Sequence, residues 1–147
     1  KFHRSSEKNA WEKLNKSLDL MKKMKGQTRT VFRMNLILNL NMNPEHAKEY
    51  AELIKKANLL FIEIKGFMSV GFARNRLGYE RMPYHEDLQK FAKELVTLLR
   101  VPQNSKLRGK KLKKLKQNYK ILDEHYYSRA IVLGKDKKDL KIKKNEF

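Results

Sequence analysis

The sequence predicts an α/β fold, a partial (β/α) barrel with parallel strands and outer helices. Three observations lead there. Helical and strand periodicities alternate along the chain. The stretch "LLFIEIK" is apolar nearly throughout, as a parallel strand covered on both faces requires. The first helical segment has no strand before it, so the sheet reads as the second half of something larger.

Taken in order, Trp11, Leu14, Leu18 and Met21 recur at helical spacing and Gly26 stands where helices commonly stop, which predicts a helix over 7–25. "TRTVFRMNLIL" is rich in β-branched and aromatic residues, and predicts a strand over 28–38. Asn43 as N-cap and Pro44 at the first helical position begin a helix whose apolar face is Ala47, Tyr50, Ala51, Ile54 and Ala57. A strand over 59–65 follows, completing a strand–helix–strand unit. The glycine-punctuated stretch 66–83 reads as a long working loop. Leu88, Phe91, Ala92, Leu95 and Leu99 mark a third helix, and "YKILDEHYYSRAIVLGK" reads as two short strands around a turn. One domain is expected over 1–134, with a basic insertion at 101–118 in which Leu107, Leu112 and Leu115 form a short helix, and a mobile basic tail at 135–147.

The net charge is +19, from 35 Lys and Arg against 16 Asp and Glu. Such a balance suits a protein that meets phosphate backbones and is extreme for an enzyme of small neutral metabolites. The plainer reading is lysine-rich surface cover of the kind found in heat-adapted proteins. With no cysteine, this chain alone forms no disulfide and holds no iron–sulfur cluster through thiolates. No apolar run reaches the roughly 20 residues that span a bilayer, and the first residues lack the apolar stretch of a signal peptide, so a cytoplasmic protein is expected. The chain begins at Lys1 without an initiator methionine, which suggests a piece of a longer protein.

Residues two apart on a strand share a face. Phe61, Glu63 and Lys65 therefore lie on one side of the second strand, and Val31, Arg33, Asn35, Ile37 and Asn39 on one side of the first. If both sides look inward, Arg33, Asn35, Asn39, Glu63 and Lys65 line one pocket, with Lys65 at the carboxyl end where parallel barrels place reacting groups. Ionised groups enclosed there are costly unless paired. The site reading thus competes with a satisfied bridge from Glu63 to Arg33 or Lys65. A lysine amine is a nucleophile toward carbonyls once neutral; desolvation and nearby cations favour that form, and Glu63 opposes it. The four histidines have no metal-ligand spacing, His85 reads as a helix-start residue, and no phosphate-cradling glycine motif is present. Arg74 and Arg76, in the loop after Lys65, with Lys106, Arg108, Lys110, Lys111, Lys113 and Lys114, are candidate phosphate contacts, and Tyr79 is a candidate for stacking on a flipped base.

The blocks "RTVFRMNLILNLNMN", "FIEIKGFMSVG", "MPYHEDLQKFAKEL" and "YKILDEHYYSRAIVL" resemble, in order and spacing, the carboxyl-terminal half of the tRNA 4-demethylwyosine synthases, radical S-adenosylmethionine enzymes of wyosine and wybutosine biosynthesis. The resemblance covers most of residues 9–100 and 118–134. It implies a barrel of radical S-adenosylmethionine type and the condensation of N1-methylguanosine in phenylalanine tRNA with pyruvate. A lysine of the family is thought to hold pyruvate as an imine, a role that falls by position on Lys65, with Glu63 beside it. S-adenosylmethionine and 4Fe–4S clusters are implied as cofactors, held by an amino-terminal half that carries the cysteines. This chain departs from the pattern at "LILN", where Leu38 stands in the family's lysine place and Asn39 in its glycine place. Two functions stay open: the carboxyl-terminal part of such an enzyme, active only with the other half, or a basic tRNA-binding module without chemistry.

Overall fold

A computed structural model describes residues 7–100 and 119–142. The elements are α1 (Ala10–Lys23), β1 (Val31–Leu36), α2 (Pro44–Ala57), β2 (Phe61–Gly66), α3 (Phe72–Leu77), α4 (His85–Leu99), β3 (Lys120–His125) and β4 (Ala130–Gly134), followed by a 3₁₀ turn at Lys137–Leu140. The expected helix at 107–115, the basic run at 101–118 and the last residues of the tail lie outside the described residues.

The strands form one sheet in the order β1-β2-β4-β3. β1 and β2 are parallel, as the strand–helix–strand unit requires, with Arg33 opposite Glu63 and Asn35 opposite Lys65. The all-parallel expectation is corrected by β4, which runs antiparallel to both β2 and β3. For β3 and β4 the cause is local: Tyr126–Arg129 closes a turn, with the Arg129 N–H donating to the Tyr126 carbonyl at 2.9 Å, and a connection that short can only join antiparallel strands. β1, β2 and β3 consequently point one way and β4 the other.

The alternating pattern of β1 and β2 sends Met34, Leu36, Ile62 and Ile64 to one face, where they meet Ile131 and Leu133 of β4 and the apolar sides of α2 and α4. Burying Leu88, Leu95 or Ile54 there contributes about 1.5–3 kcal/mol each. α2 begins at Pro44, as expected, and ends where Asn58 adopts a left-handed conformation and its N–H reaches the Ile54 carbonyl at 2.8 Å. α1 differs from its expected face: Leu18 is buried against Ala57 and Leu59, but Trp11 and Leu14 are exposed, because the amino-terminal half of the helix extends past what it packs on. Among the described residues the helices cover one face of the sheet only, rather than both.

Candidate functional site

The other face of the sheet is built in rows by the strand register. At its lower end Phe61 is buried beneath the Arg29 guanidinium, 5.3 Å from the ring centroid, and beside Leu122. A Cβ added at Gly134 would lie 2.5 Å from Leu122 Cδ1 and 3.0 Å from Phe61 Cδ1, so the glycine is what lets these apolar groups close that end. Above it the row is charged: Arg33 Nη2 lies 3.4 Å from Glu63 Oε1. The uppermost row holds Asn35 and Lys65, and the Lys65 ammonium donates to the Ser128 carbonyl in the β3–β4 turn.

Between these side chains is an open hollow of about 340 Å³ lined by Arg33, Asn35, Lys65, Gly66 and Met68. Its lining comes from β1, from the carboxyl end of β2 and from Met68 in the segment that follows β2. Gly66 is close-packed there: an added Cβ would stand 3.1 Å from Leu88 Cδ1, 3.2 Å from Arg129 Cβ and 3.3 Å from Pro83 Cγ. Asn41 fixes the segment after β1 by accepting from the Ile37 N–H at 2.7 Å and donating to the Asn35 carbonyl at 3.0 Å. The Leu38 N–H donates to the Arg81 carbonyl at 3.0 Å, tying that segment to the loop after β2.

The register therefore brings Arg33, Asn35, Glu63 and Lys65 together. Glu63 is satisfied by Arg33 and not by Lys65, whose partner is a neutral carbonyl. Asn39 is not among the residues lining the hollow; it sits in the following turn with φ of 59°, a left-handed conformation natural for the glycine that the resemblance places there. Arg74 and Arg76 lie exposed on α3, a short helix inside what the sequence presents as a plain loop. The Arg74 guanidinium is 4.9 Å from the Tyr79 ring centroid. Lys106, Arg108, Lys110, Lys111, Lys113 and Lys114 fall outside the described residues. No group of three potential metal ligands occurs among the described residues.

A second cluster escapes sequence reading. His85 opens α4 as expected, yet its ring is buried, with Nε2 3.1 Å from Glu124 Oε2, and it packs 5.0 Å from the Tyr126 ring. Gln89 also donates to Glu124, at 2.9 Å, and these bonds hold the Glu124 carboxyl below its ordinary range. The pair links α4 to β3 across 39 positions of sequence, a separation no periodicity reports.

A four-stranded mixed sheet with a parallel pair at one edge and helices packed on it makes this an α/β protein. The family model for wyosine base formation matches residues 56–135, from the end of α2 through β4, and the chain belongs to that family. Among its relatives, the S-adenosyl-L-methionine-dependent tRNA 4-demethylwyosine synthase of Pyrococcus abyssi is 37% identical over 88% of this chain and 32% of its own length. That of Schizosaccharomyces pombe is 32% identical over 86% of this chain and 17% of its own length, and that of Mus musculus 31% identical over 93% and 16%. A crystal structure of archaeal TYW1 superposes with a TM-score of 0.55 and 25% identity over 93% of this chain and 36% of that one. This chain thus spans about a third of the length of its archaeal relatives, and less of the eukaryotic ones. No helix among the described residues is long and apolar enough to cross a membrane.

Proposed function

We propose that this chain is the substrate-facing part of a tRNA-modifying enzyme that condenses N1-methylguanosine in phenylalanine tRNA with pyruvate to form 4-demethylwyosine. The observation that carries the reading is the sheet face that no helix among the described residues covers, where Lys65 stands at a strand end beside Asn35 and the Arg33–Glu63 pair. An open, charged sheet face is a poor stopping point for a domain, and it becomes an interior once further strands extend the sheet beyond β1. The remaining two thirds of the length of the archaeal relatives is the natural source of those strands, and the whole is then a radical S-adenosylmethionine barrel acting in the cytoplasm.

Within that enclosure the Lys65 amine attacks the keto carbon of pyruvate, the C–N bond forms, and water leaves to give an imine. Asn35 offers an amide to the bound acid, and Arg33, already shared with Glu63, supplies positive charge for its carboxylate. The 4Fe–4S clusters do not fit the residues of this chain, which offers no thiolate for cluster iron. Their ligands belong to the rest of the enzyme. tRNA is met by Arg74 and Arg76 on α3 and by the lysines and arginines of 101–118, and log affinity falls with log salt by roughly 0.7 to 0.9 per phosphate neutralised.

The chain's lack of cysteine and the leucine at position 38 favour a second reading, a basic tRNA-binding module without chemistry. Mixing the chain with the cluster-loaded remainder of a relative, S-adenosylmethionine, pyruvate and methylated tRNA separates the two. Formation of the tricyclic base supports the first reading; tRNA binding without product supports the second.

A further inference from the structure

Two aromatic side chains, in the segments that follow β2 and β3, are almost bare. Phe72 is 89% exposed at the start of α3, and Tyr127 is 87% exposed at the tip of the β3–β4 turn. Single exposed rings are common on protein surfaces, but these two share the end of the sheet where β1 and β2 terminate, and Tyr127 is mounted rather than loose. Its ring meets Tyr126 edge-on, with centroids 5.9 Å apart and planes at 86°, and His125 at 6.4 Å and 62°. Tyr126 is itself braced by the buried His85 ring at 5.0 Å and donates from its hydroxyl to Glu86 at 3.3 Å. The result is a ring held by two aromatic neighbours and still largely open to solvent.

Arginine stands close to both turns. Arg74 lies two positions after Phe72 on the same helix with its guanidinium over the Tyr79 ring, and Arg129 lies two after Tyr127, its guanidinium donating to the Pro83 carbonyl at 3.1 Å and standing 5.9 Å from the Tyr84 ring centroid. Bare aromatic rings on a chain of net charge +19 match the chemistry of unpaired nucleic acid: bases stack on the rings and phosphates meet the cations. A continuous duplex keeps its bases stacked inside and offers these rings nothing.

Resting on the RNA-substrate reading above, we propose that Tyr127, held by Tyr126 and His125, and Phe72 offer stacking surfaces to unpaired bases of the RNA that meets this end of the sheet. The test measures affinity of the full chain for an RNA hairpin with an unpaired loop and for a continuous RNA duplex of equal charge, by fluorescence anisotropy over a salt series. Tyr127→Ala and Phe72→Ala are each expected to weaken loop binding about 5- to 150-fold, with duplex binding and the salt slope unchanged. Tyr127→Phe, which keeps the ring, is expected to bind as the parent does. Alanine variants that bind the loop as tightly as the parent overturn the stacking role, as do equal losses on loop and duplex. So does weakened association with the remainder of the enzyme at unchanged RNA affinity, which assigns the rings to a protein contact. If RNA is bound while the rings are indifferent, only the stacking role fails; if no RNA is bound, the RNA-substrate reading fails with it.

Discussion

Arg33 and Glu63 stand opposite each other in the β1–β2 register and form a 3.4 Å ion pair on the sheet face that carries no helix among the described residues. The pair answers a question that sequence leaves open. A carboxylate two residues from Lys65 is free to pair with it or with a cation on the neighbouring strand, and it takes the neighbouring strand. Lys65 then hangs from a backbone carbonyl, a partner that holds the amine in place without fixing a counter-charge on it.

Although the Glu63 side chain is mostly covered, Arg33 is largely exposed and solvent screens the pair, so it is worth little to stability in this chain. Glu63→Gln is expected to shift the unfolding free energy by no more than about 1 kcal/mol, while lowering product formation in the assembled enzyme. Chemical denaturation combined with a product assay checks both. A loss of stability well above that bound assigns the pair a structural task instead.

Lys135 gives a pH dependence with a definite sign. Burial, with Lys25 nearby, pulls its amine down to about 8 from the ordinary 10.5. Between those values the unfolded chain holds a proton that the folded chain has released, so the Lys135 contribution makes stability rise with pH across that window. Lys135→Met removes the rise. Urea unfolding of both proteins at a series of pH values should show the difference between them changing above about pH 8 and levelling off past the ordinary lysine range; parallel curves contradict it.

Tyr119 donates its hydroxyl to the buried Leu59 carbonyl at 2.5 Å, and burial raises its pKa far above the ordinary tyrosine value. Tyr119→Phe leaves that carbonyl unpaired, at an expected cost of about 1–3 kcal/mol measured by denaturation. A raised folded-state value means that its contribution is complete below the ordinary tyrosine range and is lost as pH climbs above it.

Gly134→Ala drives a methyl group into Leu122 and Phe61 at the closed end of the polar face. We expect a destabilisation of about 1–3 kcal/mol, read as a lowered unfolding midpoint. Restoration by Leu122→Ala in the same chain would identify the clash as its source.

Much of this was legible in the sequence because it is local. Helix α2 announces itself through Pro44 and its alanine-rich face, α4 through Leu88 to Leu99, and the two-residue period of β1 and β2 places Arg33, Asn35, Glu63 and Lys65 on one side. What stayed hidden depends on how elements meet. The direction of β4 follows from a turn closed by backbone bonds, and its insertion between β2 and β3 from packing. The His85–Glu124 contact joins residues far apart in the chain, and the exposure of Trp11 reflects where α2 stops supporting α1. Helix α3, six residues long, is too short for periodicity to declare.

The central claim is that the helix-free face holds the small acid through Lys65. Borohydride reduction of the assembled enzyme with isotopically labelled pyruvate, followed by peptide mapping, tests it most directly, since hydride converts the imine to a stable secondary amine on the lysine that formed it. The account predicts label on the peptide containing Lys65 and none in Lys65→Ala, with that variant still folded. Label on a different lysine, or undiminished label in the variant, would contradict it.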